Sequence, residues 1–444
     1  MRAGVRSRRW SVGFVSSRWL DLSAATDTAR RTFAPIGGRA PVGGLYDLGV
    51  TIAARGTLFP TPTHLRVLVL AILLVAVDTL PIFLLGAGAI TIGDAIGFGP
   101  TGLGYLAAAF FLTAGAVSAP IGRLVERIGW QRAMRLNLIG TITVLLAMSI
   151  GARNILSMGG LLMAAAFLYG FGNPAANSAL AQLVDPGRQG VVFGLKHAGI
   201  PTSTLLAGLA VPLIILNIGW RWTFVAGAVL AVGVYLLIPR SLPARSEISI
   251  RAERADPLLD ARRLRLLALG GTFATVAPSM LGTFTVAAAV DAGIGEAAAG
   301  ILLSVGGFIS IVARVSSGAV VDRYRLLGFG SMAILLALGA VAVYLLASSS
   351  GALFIVLLLA AFATAWGWPG LMTFSVVRSN AGSVASSSAI AQAGVFLGAG
   401  VAPIALGMIA DRISFQAAWL LVGASLTIAT VTVGWLARML AQAT

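Results

Sequence analysis

A short segment in the middle of the chain brings together two side chains that can carry positive charge. The segment GLKHAGIP, residues 194–201, contains Lys196, the single lysine of the sequence, and His197, one of its two histidines. An ammonium group and an imidazole can each bind an anion or exchange a proton. Their neighbours in the sequence are apolar over a long stretch. The two side chains therefore need either a polar protein interior around them or a way to reach water.

Two further ionisable residues stand alone in apolar segments. A charged side chain at mid-bilayer costs about 2.5–3.5 kcal/mol on insertion scales, so Asp78 and Arg314 should face a protein interior or a water-filled cavity. Asp78 lies about 18 Å into its segment at 1.5 Å per residue, which places the carboxylate near the midplane. Lys196 lies shallower, so its long stem could also reach the membrane surface. Both readings of Lys196 stay open.

The elements that position these residues are apolar helices. The chain has 444 residues, of which 58% are hydrophobic and 10% charged, with a mean hydropathy of +0.94. About 20 apolar residues span a bilayer core as a helix, and runs of that length recur along the sequence. We therefore predict an all-α membrane protein with twelve transmembrane helices in two parallel six-helix repeats. The predicted spans 1 to 12 are 66–91, 102–121, 133–151, 157–180, 190–216, 221–239, 265–290, 299–318, 327–348, 352–377, 384–409 and 416–439.

Four regions follow from these spans. Residues 1–63 form an arginine-rich tail that we expect to be disordered, 64–239 the first six-helix bundle, 240–264 a linker, and 265–444 the second bundle. Arginines concentrate in the linker and in the other loops after even-numbered spans. Positive loops stay in the cytoplasm, so both termini are expected there, with the protein in the plasma or inner membrane.

The two halves of the sequence repeat each other. GRLVER, residues 122–127, aligns with GAVVDR, residues 318–323, and HAG at 197–199 aligns with QAG at 392–394. Six spans per repeat give both halves the same orientation. The positions equivalent to Asp78, Lys196 and Arg314 are not ionisable, so the three charges are additions to a symmetric scaffold.

The duplicated plan and the segment GRLVERIGWQR between spans 2 and 3 resemble the major facilitator superfamily of secondary transporters. The resemblance covers about residues 64–440 and implies a gate at the motif positions rather than a substrate site. Small glycines would let helices approach closely, and a carboxylate would pair with a helix N-terminus and arginines when the gate is closed. Simple topogenic charge is the alternative. The gate positions are Gly122, Glu126, Arg127, Gly318, Asp322 and Arg323.

GLKHAGIP also resembles a signature of a branch that includes cyanate-permease-like metabolite carriers. The resemblance implies a proton-coupled, alternating-access transporter of a small polar or anionic metabolite. Asp78 would carry the proton. Lys196, His197 and Arg314 would contact the substrate together with the neutral hydrogen-bonding residues Gln392 and Asn173. Tyr169, Asn177, Trp366 and Trp368 are further candidates for the cavity wall.

Alternatives remain for both the site and the function. Arg314, Gly318 and Asp322 share one helical stripe, so an ion pair competes with anion binding for Arg314. Proton-driven efflux of amphipathic drugs is the second function, suggested by Asp78 and the aromatic residues of span 10. The expected partners are the substrate, protons and the lipid bilayer, and we expect a monomer.

Composition argues against other classes of protein. There are no cysteines and two histidines, which argues against thiolate chemistry and a metal site. No combination of nucleophile, base and orienting group can be assembled, so we expect neither an enzyme nor a cofactor. The net charge of +16 belongs to loop arginines, and we expect no nucleic acid to bind.

Overall fold

The computed structural model describes residues 62–183, 192, 195–239, 259–324, 328–380 and 384–442. The side chains of 62–64, 181–183, 319–324, 377 and 384–386 are not described. Most of the predicted tail and most of the predicted linker therefore lie outside the described residues. The fold concerns the helices that the sequence places in the membrane.

Helices account for every predicted span. Within the described ranges, eleven helices are long and apolar enough to cross a membrane, and the helix of span 6 is apolar but shorter. The spans comprise, in order, Pro62–Ala87 with Ala89–Ile96, Pro100–Ile128, Trp130–Gly151, Ile155–Leu183, Gly199–Ala210 with Val211–Ile215 and Leu216–Ile218, Arg221–Leu236, Ala261–Ala274 with Val276–Thr283 and Thr285–Asp291, Glu296–Tyr324, Gly328–Ala347, Gly351–Thr364 with Pro369–Ser379, Val384–Arg412, and Phe415–Ala441.

In spans 5 and 10 the helix is interrupted just before a proline. In span 10 the helix stops at Thr364 and resumes at Pro369. In span 5 residues 197 and 198 form a turn before the helix that starts at Gly199. Proline lacks an N–H, so the carbonyl four residues earlier loses its helical partner. For Pro201 that carbonyl belongs to His197.

Spans 1 and 7 occupy the interior of the helical assembly. In span 1, 83% of the most apolar window is buried, and in span 7 61%, against 39% in span 2. The two spans are equivalent in the sequence repeat, so the same position is innermost in each half. Asp78 on span 1 is thereby kept away from lipid.

We use "distal end" for the end of the assembly where residues 97–99 join spans 1 and 2, and "terminal end" for the opposite one. The halves meet closely near the distal end. A Cβ added at Gly104 would overlap the carbonyl oxygen of Pro403, and one at Gly208 would overlap that of Gly300. Glycines at such crossings let two helix backbones approach each other.

Hydrogen bonds reinforce this contact between the halves. Thr91 donates to a carboxylate oxygen of Glu296 over 2.8 Å, and Thr101 donates to Asp411 over 2.7 Å. Toward the terminal end, the nearest described atom to a Cβ at Gly122 is 4.0 Å away, on Pro174 of the same half. The distal end is therefore the closed one.

Gly104→Ala is expected to open the distal end, because its methyl group would push span 11 away from span 2. The chain contains no cysteine, so Thr373→Cys in the cavity supplies a single reactive thiol. Its labelling by a membrane-impermeant maleimide from the distal side should become several-fold faster with Gly104→Ala. The control is Gly160→Ala, since no described atom lies within 4 Å of a Cβ there. Equal labelling of both variants would contradict the distal closure.

Candidate functional site

A cavity lies between the two halves of the helical assembly. Six aromatic side chains line it, namely Phe83, Phe111, Tyr169, Trp366, Trp368 and Phe396. Four of the predicted substrate-binding residues share this wall, namely Asn173, His197, Arg314 and Gln392. They come from spans 4, 5, 8 and 11, so both halves contribute polar groups to one space.

The guanidinium of Arg314 joins the two halves at this cavity. It donates from Nη1 to the carbonyl oxygen of His197 over 2.7 Å, which is the carbonyl left free by Pro201. It also donates from Nε and Nη2 to the carbonyl oxygen of Trp366, over 3.3 and 3.1 Å, in the break of span 10. Arg314 thus satisfies one backbone acceptor in each half.

Arg314 keeps binding capacity after these contacts are made. A guanidinium has five N–H donors, and three bonds leave part of that capacity free. The side chain is only 6% exposed, and its charge centre lies 5.9 Å from the centre of the Trp366 ring. Among the described side chains no carboxylate pairs with it; Asp322, its predicted ion-pair partner, has no described side chain. A buried cation with open donors is suited to an anion.

Lys196 is placed beside the cavity rather than in its wall. It is 2% exposed, and its Nζ donates to Oδ1 of Asn173 over 2.5 Å and to Oδ1 of Asn177 over 2.6 Å. The ammonium therefore does not extend to the membrane surface. Because Asn173 lines the cavity, Lys196 is connected to that space through an amide.

Asp78 lies behind the cavity wall. The residue is 1% exposed. Its carboxylate lies near the side chains of Asn137 and Thr141, but within the described part of the chain neither of its oxygens makes a hydrogen bond of standard geometry. A Cβ at Gly172 would overlap Oδ2 of Asp78 and approach Nδ2 of Asn137 to 3.0 Å. A glycine at 172 therefore makes the room for the carboxylate. The next residue, Asn173, is one of the two asparagines to which Lys196 donates.

Sequence reasoning missed the hydroxyl groups of the cavity. Thr79, Thr275, Ser279 and Thr373 line it, and each donates to a carbonyl of its own helix, as Thr275 does to Gly271 over 2.7 Å. Their oxygens retain lone pairs for a ligand. Serines and threonines are frequent in membrane helices for packing alone, so no sequence signal singles these out.

None of the predicted gate residues is among the described residues that line the cavity. Glu126 and Arg127 are exposed near the terminal end of span 2. Gly318 has no described atom within 4 Å of the position of a Cβ. Asp322 and Arg323 belong to the helix of span 8, but their side chains lie outside the described set. The predicted gating role therefore stays a prediction.

Sequence comparison identifies the family to which this chain belongs. A family model described as Major Facilitator Superfamily matches residues 68–339, more than half of the chain. The chain belongs to the Major Facilitator Superfamily. This confirms the resemblance drawn from the duplicated spans and the GRLVER segment. Members of the superfamily are membrane transport proteins, and this chain is a transporter rather than an enzyme.

Solved structures share the fold of this superfamily member. A bacterial homologue of the human lysosomal transporter Spinster, in an inward-facing and unoccupied conformation, has a TM-score of 0.66 and 14% identity, over 86% of this chain and 98% of that one. A bacterial homologue of Spinster in an inward-facing and occupied conformation has a TM-score of 0.63 and 16% identity, over 86% of this chain and 97% of that one. A comparison with curated protein sequences gives no significant match. The fold prediction is confirmed.

Proposed function

We propose that this superfamily member is a secondary active transporter of a small anionic metabolite. The observation that supports this proposal most directly is the position of Arg314, a buried guanidinium in the cavity wall whose described hydrogen-bond partners are backbone carbonyls. Carbonyl dipoles stabilise a cation only in part, and a carboxylate or another oxyanion would bind it by charge-assisted hydrogen bonds. His197 and Gln392 line the same space and supply further polar contacts.

Substrate binding would compete with the contact between the halves. An oxyanion that draws the guanidinium toward the cavity weakens its bonds to the carbonyls of His197 and Trp366. Since these carbonyls belong to different halves, binding changes the contact along which the halves move. We propose alternating access by rocking of residues 64–239 against 265–444, with 240–264 as the linker.

Asp78 is the proposed proton carrier. An isolated ionised carboxylate is costly to bury, so the described environment of Asp78 suits the neutral acid better than the anion. Water entering as the cavity changes shape would remove that penalty and release the proton. The Asp78 carboxylate packs against Gly172, and the next residue of span 4, Asn173, lines the cavity. Substrate binding in the cavity can therefore influence protonation of Asp78, and protonation can influence substrate binding.

The loops after even-numbered spans are rich in arginine, which assigns the terminal end of the assembly to the cytoplasmic side of a plasma or inner membrane. With its distal end closed, the described conformation would then open inward. The gate formed by Gly122, Glu126, Arg127, Gly318, Asp322 and Arg323 would close in the opposite conformation. The spacing at Gly122 and Gly318 fits this proposal because a gate that is open has no close helix contact there.

The aromatic wall favours a second candidate function. Six aromatic rings line the cavity, and flat aromatic surfaces bind amphipathic compounds and organic cations. Proton-driven efflux of such compounds would use Asp78 for coupling and would leave Arg314 as a structural link. This candidate predicts repulsion between the guanidinium and a cationic substrate.

A ligand-induced thermal-shift screen of the purified protein separates the two functions. Ligands that bind the folded state raise the unfolding temperature in a concentration-dependent way. We expect shifts with monocarboxylates or small inorganic anions, and none with cationic amphipathic drugs. Sugars serve as neutral polar controls. A shift confined to the drugs would overturn the proposal and support efflux.

A further inference from the structure

Lys196 controls which atoms of Asn173 are available inside the cavity. An ammonium has three N–H donors and no acceptor, so each amide that contacts it must present oxygen. Asn173 and Asn177 do so, with Oδ1 2.5 Å and 2.6 Å from Nζ. The amide orientation of Asn173 is therefore set by a residue outside the cavity wall.

The consequence for Asn173 is a free pair of donors. With Oδ1 directed at Lys196, the amide nitrogen Nδ2 points away from the ammonium. Within the described part of the chain this nitrogen has no hydrogen-bond acceptor, and Asn173 lines the cavity. An amide could present either oxygen or nitrogen to a ligand, and here the nitrogen is selected.

Arg314, in the other half of the protein, also presents hydrogen-bond donors to the cavity. Its guanidinium has donors only, and it lines the cavity together with Asn173. The cavity thus has one fixed donor group on span 4 and another on span 8. A carboxylate can satisfy both groups, because each of its two oxygens accepts hydrogen bonds.

We propose that Lys196 is a positioning residue that acts through Asn173 and makes the cavity selective for carboxylates over their neutral amide analogues. A carboxylate has acceptors only, whereas an amide would direct its own N–H donors toward Asn173 or Arg314. This inference rests on the proposed function, since it concerns the substrate class of the same cavity. It assigns Lys196 to selectivity rather than to direct contact.

The first test compares two substitutions that are matched around Lys196. Asn173→Asp retains an acceptor for the ammonium but turns a carboxylate oxygen toward the cavity in place of the amide donors. Asn177→Asp places the same carboxylate on the same ammonium, outside the residues that line the cavity. We expect benzoate affinity, measured by calorimetry, to fall at least tenfold in Asn173→Asp and less than threefold in Asn177→Asp. Equal losses would overturn the proposal, because Lys196 would then act through its charge alone.

The second test measures selectivity in a Lys196→Met variant, which keeps the length of the side chain but removes its donors. The probes are acetate with acetamide, lactate with lactamide and benzoate with benzamide. We expect the carboxylate-to-amide affinity ratio to fall about tenfold, or 1.4 kcal/mol, and Lys196→Arg to restore it. If Lys196 served folding alone, the variant would bind carboxylates and amides more weakly in the same proportion. An unchanged carboxylate-to-amide ratio would therefore overturn the proposal.

The wild-type protein separates this inference from the proposed function. If neither the three carboxylates nor small inorganic anions bind wild type, the anion-transport proposal itself fails. If carboxylates bind wild type and Lys196→Met with the same selectivity, the transport proposal stands and the positioning role is wrong.

Discussion

Replacing Arg314 with glutamine is expected to lower the affinity for an anionic substrate on the order of 100-fold. Truncating one partner of a buried, hydrogen-bonded charge pair costs about 2–5 kcal/mol, and each 1.4 kcal/mol is a factor of ten. Glutamine is shorter and neutral, so it would lose both the charge and the reach to the carbonyls of His197 and Trp366. Calorimetric titration of the purified variant with benzoate and lactate measures this loss.

Stability is expected to change along with affinity. Each backbone carbonyl that loses its donor costs about 1–3 kcal/mol when water cannot replace the bond. The His197 carbonyl has no helical alternative, because Pro201 cannot donate to it. Thermal unfolding of Arg314→Gln should therefore begin at a lower temperature than that of the wild type.

Arg221 offers a matched control for this substitution. It also donates to two backbone carbonyls, those of Ser149 at 2.9 Å and Ala152 at 3.1 Å, and it does not line the cavity. Arg221→Gln should lower stability through the same loss of donors and leave anion affinity unchanged. If both variants bind anions as the wild type does, Arg314 is a structural link and not a substrate contact.

Asp78→Asn is expected to abolish proton-driven accumulation of the substrate while exchange continues. Asparagine has nearly the same shape as aspartic acid and fits the space beside Gly172, but it cannot release a proton. In proteoliposomes, an imposed pH gradient should drive uptake by the wild type and fail to do so in the variant. Exchange of labelled for unlabelled substrate at equal concentrations should persist, since it needs no net proton movement.

The control for the coupling test is another aspartate on the same span. Asp94 is exposed in Ala89–Ile96, close to the distal end. Asp94→Asn should therefore retain accumulation driven by the pH gradient. Accumulation that still follows the pH gradient in Asp78→Asn would rule out Asp78 as the proton carrier. Loss of exchange as well would show that Asp78 is needed for the movement of the halves rather than for coupling.

Sequence reasoning succeeded where the signal was distributed over many residues. Runs of about 20 apolar residues predict membrane helices because a lipid interior forces backbone amides to bond within the segment. The helices follow the predicted spans, and the family match confirms the resemblance. Sequence-based boundaries are weaker at proline, and the break at 197–198 in span 5 was not placed in advance.

The candidate site was predictable as a set of residues but not as an arrangement. A charge in an apolar span is conspicuous because it costs free energy there, and this pointed to Asp78, Lys196 and Arg314. Nothing in the order of residues states which span lies against which. Lys196 was therefore expected among the substrate contacts, whereas the structure places it behind Asn173.

The sequence by itself determined the fold class, the internal duplication, and the short set of polar residues that are buried in the membrane helices. These follow from hydrophobicity and from the cost of burying charge, which are properties of single segments. Tertiary structure decided which carbonyls Arg314 satisfies, which face of Asn173 meets the cavity, and which end of the assembly is closed. Those depend on helices far apart in the chain approaching within hydrogen-bond distance, where a shift of one ångström makes or removes a contact.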